Sequence, residues 1–224
     1  MQADNRRFTL VHNFDQAFDH FNRTLFAGQL PPCVITLQRS AGHNGYFRPQ
    51  AFHARPCAAA VTEAGATAHE IALNPAAFHG RTDADILSTL VHEMVHLWQE
   101  VAGKPGRGRY HNRQWAAMMV DVGLLPFNLH DPAKQTGDAC SHRIAPGGRF
   151  AVACAAFLAA AGPVIPWQAA GERPSAAARK RNKVTYRCPA CAATVWGRAS
   201  LHLVCGDCGV EFVAADGEDG GGDG

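Results

Sequence analysis

Apolar residues near the start of the chain recur at helical spacing. Phe14, Phe18, Phe21 and Leu25 fall on one face, and Gly28 followed by Pro31 and Pro32 stops the pattern. This predicts a helix that packs an aromatic stripe on a core. VITLQ (34–38) is a short strand candidate, and HNGYF (43–47) holds an Asn-Gly pair, a hairpin signal leading into a second strand. EIALN (70–74) reads as a third strand, closed by Pro75. The next helix starts near Thr82, with Asp85 three residues on as a relative of the capping box, and ends at Gly103 with Pro105 just beyond. Its apolar positions Ile86, Leu90, Val91, Met94, Leu97, Trp98 and Val101 cover most of the circumference, the pattern of a helix buried on nearly all sides. Further helices are expected over 113–123 and 150–161, and residues 124–149 are expected to be irregular.

The buried helix carries an anomaly. Its middle reads VHEMVHLWQE (91–100), with His92, Glu93 and His96 among residues that have much to bury. They could be exposed polar positions on an amphipathic helix. The alternative is that HExxH is a zinc site with its own general base. Helix positions 92 and 96 lie about 40° and one turn apart, so both imidazoles leave the same face. Glu93 is rotated by about 100° and can flank a metal without ligating it. Imidazole nitrogens suit zinc, and a carboxylate beside the ion can take a proton from the attacking water. A catalytic zinc needs three protein ligands. His111 follows His96 after fourteen residues, enough for the chain to turn back; His79, His130, His142 and Glu100 are also available.

Composition narrows the class. The chain has 224 residues, 47% hydrophobic and 18% charged, which suits one large domain or one medium domain plus a small module. MQADNRRFTLVHNF has no apolar leader, and AVACAAFLAAAG is too short for a membrane span, so a cytoplasmic protein with no membrane partner is expected. The net charge of +2 is uninformative, but its distribution is not. Seven basic residues and one acid lie from Glu172 to Arg198, while residues 215–224 are acidic and glycine-rich and expected to be disordered. The stretch 169–183 is small, polar and basic, a linker by composition.

The eight cysteines divide into two classes. Cys33, Cys57, Cys140 and Cys154 are scattered and expected to be reduced and buried. Cys188, Cys191, Cys205 and Cys208 form two CxxC pairs thirteen residues apart, the spacing of two knuckles around a structural zinc. The residues between them alternate enough for a two-strand connector. The metal would supply folding energy that so small a core lacks.

With these residues in view, the chain resembles the SprT-like zinc metallopeptidases, which include the Spartan proteases of DNA–protein crosslink repair. The resemblance rests on LFAGQLP (25–31), NGYFRP (44–49), IALNP (71–75), STLVHEMVHLWQ (88–99) and YHNRQWAAMM (110–119), in the family's order. It implies an α+β, zincin-like domain over residues 1–165, a small sheet lying over the HExxH helix. His92, His96 and His111 would hold a catalytic zinc, with Glu93 as catalytic base. A basic linker (166–183), a zinc ribbon (184–214) with a second, structural zinc, and the acidic tail (215–224) would follow.

The expected partner is a protein substrate, with DNA contacted through the basic linker and ribbon. There RKRNK (179–183), Tyr186, Arg187, Trp196 and Arg198 could supply phosphate contacts and a stacking surface; alternatively Trp196 packs the ribbon's core. Tyr110 and His130 are candidate oxyanion partners. The rival class is a non-catalytic, zinc-stabilised DNA- or protein-binding module, against which Glu93 argues, since a structural site has no use for a flanking carboxylate.

Overall fold

A computed structural model describes residues 10–55, 65–108, 110–162, 164–170, 184–198 and 201–214. The N-terminal nine residues, Cys57, most of the expected linker and the acidic tail lie outside the described residues. The chain divides into two compact units, Met1–Pro174 and Ser175–Gly224.

The first unit opens with helix α1 (Leu10–Leu25), which buries Phe14, Phe18, Phe21 and Leu25, the expected stripe. Phe21 meets Phe150 and Phe157 at ring separations of 5.5 and 6.0 Å. Past the helix end, the Asn22 side chain donates to Leu30 O and accepts from Leu30 N, which clips the AGQLP turn shut.

Strands β1 (Cys33–Leu37), β2 (Gly45–His53) and β3 (Thr67–Leu73) form a sheet in the order β1-β3-β2. β3 runs parallel to β1 and antiparallel to β2, with Ile71 opposite both Ile35 and Phe47. The hairpin expected from the Asn-Gly pair therefore does not form between the first two strands. β3 carries the buried run Glu70–Leu73 and takes the central position, where both its edges are hydrogen-bonded. Asn74 pins the loop between β1 and β2 instead: its Nδ2 donates to Ser40 O and His43 O, both at 2.7 Å, while its Oδ1 caps the following turn at Ala76 N.

Helix α2 (Asp83–Ala102) starts with a complete capping box between Thr82 and Asp85 and closes at Gly103. It is the spine of the core: Leu87, Leu90, Val91, Met94, Val95 and Leu97 are fully buried. Only its C-terminal end departs from the expected all-round burial, with Val101 exposed. Helix α3 (Arg113–Asp121) follows, capped by Asn112.

Residues 124–149, expected to be irregular, contain a second antiparallel pair, β4 (Leu124–Asn128) and β5 (Cys140–Ile144). Pro126 and the polar run CSHRI hide it, since neither shows apolar alternation. Helix α4 (Arg149–Ala161) then packs Phe150, Cys154 and Phe157 inward. The linker expected from residue 166 has its first residues docked on this unit. Just before it, Asn13 donates to Val164 O; within it, Ala169 N donates to Pro75 O, and His79 Nε2 meets Ala169 O at 2.7 Å.

The second unit is a three-stranded antiparallel sheet, β7 (Thr194–Gly197), β6 (Val184–Arg187) and β8 (Val213–Ala214), with β6 central. Tyr186 fills its small interior and accepts from Leu201 N while donating to Arg198 O.

Candidate metal centres

α2 presents His92 and His96 one turn apart, with ring centroids 5.3 Å from each other. His111 arrives from the loop before α3 and lies 5.4 Å from His92 and 5.0 Å from His96. One nitrogen from each ring can be chosen so that all three lie within 4.8 Å of one another, a spread that a single ion can bridge. His92 and His96 are partly exposed while His111 is buried. Trp115 forms the floor, fully buried and 4.2 Å from the His111 ring.

A buried polar network brings the third histidine back to the helix. Gln99 on α2 donates to Asn112 Oδ1 at 2.8 Å, and Asn112 donates to Lys104 O while capping α3 at Trp115 N. The loop is closed from the other side by the paired backbone bonds between His111 and Gly137. The His111 ring accepts no proton there: its Nδ1 stands 3.0 Å from Gly137 O, a carbonyl that can only accept, so Nδ1 donates and Nε2 keeps its lone pair.

Burial pushes the pKa of His92 well below the usual histidine range and that of His96 down to about 3, and lowers that of His111. Repulsion among the rings adds to the effect for all but His111. Neutral imidazoles are the form that binds metal.

Glu93 is buried on the same helix, and burial raises its pKa to about 8 against a hydrogen bond from the Phe47 N–H. β2 crosses α2 at this point. A Cβ at Gly45 would lie 2.9 Å from Ala72 O, 3.2 Å from Thr89 Cγ2 and 3.3 Å from Glu93 Oε1, so the strand approaches the carboxylate as only glycine allows.

The remaining candidates separate cleanly. His79 is occupied with Ala169, and His130 is exposed in the loop after β4. Glu100 does not join the three-histidine group, and Tyr110, a candidate oxyanion partner, is exposed. His142, on β5, stands beside it: its Nδ1 is 3.1 Å from His92 Nδ1 and its Nε2 is 2.9 Å from Ser88 Oγ. Sequence spacing carries no signal for His142 or Ser88 in this arrangement, because the contact depends on the β4–β5 pair.

In the second unit the ligand atoms of Cys188, Cys191, Cys205 and Cys208 also lie within 4.8 Å of one another. The two knuckles are near copies. Cys188 N bonds Ala193 O and Ala192 N bonds Cys188 O; likewise Cys205 N bonds Val210 O and Gly209 N bonds Cys205 O. The turns put Ala192 and Gly209 in left-handed conformations, φ 61° and 65°. The N–H of Cys191 draws the Cys188 thiol down to about 7, while the Cys191 thiol pushes Cys208 up to about 12. Such crowded thiols hold protons that a dication displaces. Cys33, Cys140 and Cys154 are free thiols; Cys154 is buried and the other two half-buried.

Comparison with known proteins gives a family match. The model of the SprT-like family matches residues 14–134, more than half of the chain. A Salmonella typhimurium protein described as "Uncharacterized protein in mucB 3'region" is 44% identical over 48 residues, which cover 21% of this chain and 65% of that protein.

Proposed function

From the SprT-like family, to which this chain belongs, we propose that it is a zinc-dependent metallopeptidase acting on proteins bound or crosslinked to DNA. The observation that carries the peptidase reading is the buried Glu93 beside an open set of three neutral imidazoles. The donor set fits zinc: three imidazole nitrogens within 4.8 Å of one another, on two partly exposed residues and one buried one. When bound, zinc supplies Lewis acidity toward water and the scissile carbonyl.

The chain's own residues do the rest. His92, His96 and His111 hold the ion, and the Trp115 floor keeps water from their inner side. Glu93 accepts the proton of the attacking water and returns it to the leaving amine. Burial raises its pKa, and a dication held beside it would lower it again, which keeps the carboxylate ionised and able to take the proton. The Phe47 N–H holds the carboxylate in orientation. No helix among the described residues is long and apolar enough to cross a membrane.

The DNA part of the reading is supported by the ribbon's surface. Trp196 is 71% exposed and does not pack the core, which Tyr186 occupies. Strand alternation and register put Arg187 and Trp196 on one face, with Val213 opposite Arg187, and Arg198 follows directly after β7. An exposed indole with arginines nearby in the same small sheet suits stacking on unpaired bases, with charge for the phosphates.

The test is Glu93→Gln in the zinc-loaded chain, assayed on a DNA-binding protein with and without single-stranded DNA. Zinc content should be unchanged and hydrolysis should fall by about 10²–10⁴-fold. Undiminished cleavage by the variant would sink the assignment of Glu93.

A further inference from the structure

We infer that His142 and Ser88 form a hydrogen-bond relay that fixes the ring tautomer of His92 and leaves its Nε2 as the ligating atom. The inference rests on the reading of His92 as a metal ligand and adds two positioning residues to it.

The argument is a proton count along four groups. Ser88 Oγ lies 2.7 Å from Asp85 O, one turn back on the same helix. A carbonyl only accepts, so the single hydroxyl hydrogen of Ser88 goes there and its lone pairs remain for others. His142 Nε2, 2.9 Å from that oxygen, must then be the donor. A neutral imidazole carries one N–H, so His142 Nδ1 presents a lone pair. His92 Nδ1, 3.1 Å away, must donate into it. Nε2 of His92 is left with its lone pair outward. Any other assignment sets two lone pairs, or two N–H groups, against each other at one of these contacts.

The need for such a relay follows from where His92 sits. His111 fixes its tautomer on the carbonyl of Gly137, which the β4–β5 loop brings to it. His92 lies in the middle of α2, where the neighbouring carbonyls are used by the helix's own ladder. Its partner must come from another element. β5 supplies it: His142 is held in register opposite Pro126, and the relay begins and ends on one face of α2, at Ser88 and, four residues on, His92. Metal-bound histidines are commonly oriented by such a second hydrogen bond, and losing it typically costs 10–100-fold in metal affinity.

The experiment uses the full chain with its histidines labelled with ¹⁵N, at pH 8, with and without zinc. Two-bond ¹H–¹⁵N correlations read which ring nitrogen carries the proton. His92 should be the Nδ1–H tautomer in both states, and His142 the Nε2–H tautomer. Zinc affinity at the histidine site is then measured by competition with a chelator, counting the zinc held by the cysteines separately. His142→Leu, which has no acceptor, should weaken it about 10–100-fold. His142→Asn, whose amide oxygen can stand near the position of Nδ1, should recover most of the loss, as a merely space-filling role would not predict. Three results overturn the relay: a His92 Nε2–H tautomer in the zinc-free chain, wild-type affinity in His142→Leu, or equal losses in Leu and Asn. If His142→Leu fails to fold, the tautomers of the unmodified chain decide. A chain that takes up zinc only at its cysteines refutes the peptidase reading instead, and the zinc-free spectrum still tests the relay.

Discussion

Gly45→Ala separates the Glu93 carboxylate from the three histidines. Gly45 pairs with Leu73 at the start of β2, where the strand crosses α2. The added methyl would meet Ala72 O at 2.9 Å, Thr89 Cγ2 at 3.2 Å and Glu93 Oε1 at 3.3 Å. The first of these is backbone in the central strand and cannot swing away. The second belongs to a β-branched side chain whose rotamers are restricted in a helix. Relief must come from a shift of β2 or of Glu93. Overpacking of this kind costs about 1–3 kcal/mol, which for a unit of this size lowers the melting temperature on the order of 3–10 °C. No histidine is among the three nearest atoms, so zinc content should be unchanged. Peptidase activity should fall by roughly 3- to 100-fold, since a 1 Å misplacement can cost about 10²-fold. Adding Thr89→Ser removes one contact and should restore only part of the stability, because Ala72 O remains. Thermal unfolding, metal analysis and cleavage kinetics on the same preparations check all three statements. Wild-type melting temperature and activity in Gly45→Ala would refute the close-approach argument. Loss of zinc would show that β2 supports the ligands rather than the base.

Three other outcomes are expected. The purified chain should bind about two zinc ions, and Cys188→Ser with Cys191→Ser should remove one while the far-ultraviolet signal of the first unit persists; a saturating metal content near one in the unmodified chain would contradict this. Gln99→Leu should weaken zinc at the histidine site without touching the cysteine site, because it removes the bond that ties Asn112 to α2, and a buried hydrogen-bonding group costs about 1–3 kcal/mol when its partner is lost; chelator competition reads the difference. Trp196→Ala should weaken single-stranded DNA binding by about 1–3 kcal/mol, with the remaining affinity falling steeply as salt rises; equal affinity for the variant and the unmodified chain would take away the ribbon's part in DNA contact.

What the sequence disclosed and what it concealed divide along the range of the interactions involved. α1, α2 and the two CxxC knuckles are set by neighbours within one or two turns, so Phe14, Phe18 and Phe21, the Thr82–Asp85 box and the cysteine spacing announce them. His92 and His96 share a face for the same reason, and His111 was reachable because fourteen residues suffice to turn the chain back. Asn44-Gly45 was visible but for the wrong cause. The glycine looked like half of a turn, whereas it permits β2 to lie against Ala72 and Glu93. That requirement belongs to a partner nearly thirty residues away and leaves no local mark. β3 displaced the expected hairpin because pairing order depends on which strand has both edges to satisfy, a property of the whole sheet. β4 and β5 were hidden by Pro126 and a polar run, and with them went His142, whose proximity to His92 exists only once that pair is formed. Histidines grouped by spacing along one helix can thus be read directly, while the neighbours that reach them from other strands cannot. A ligand needs only to reach the ion, but an orienting partner must approach from a direction that its own helix cannot supply.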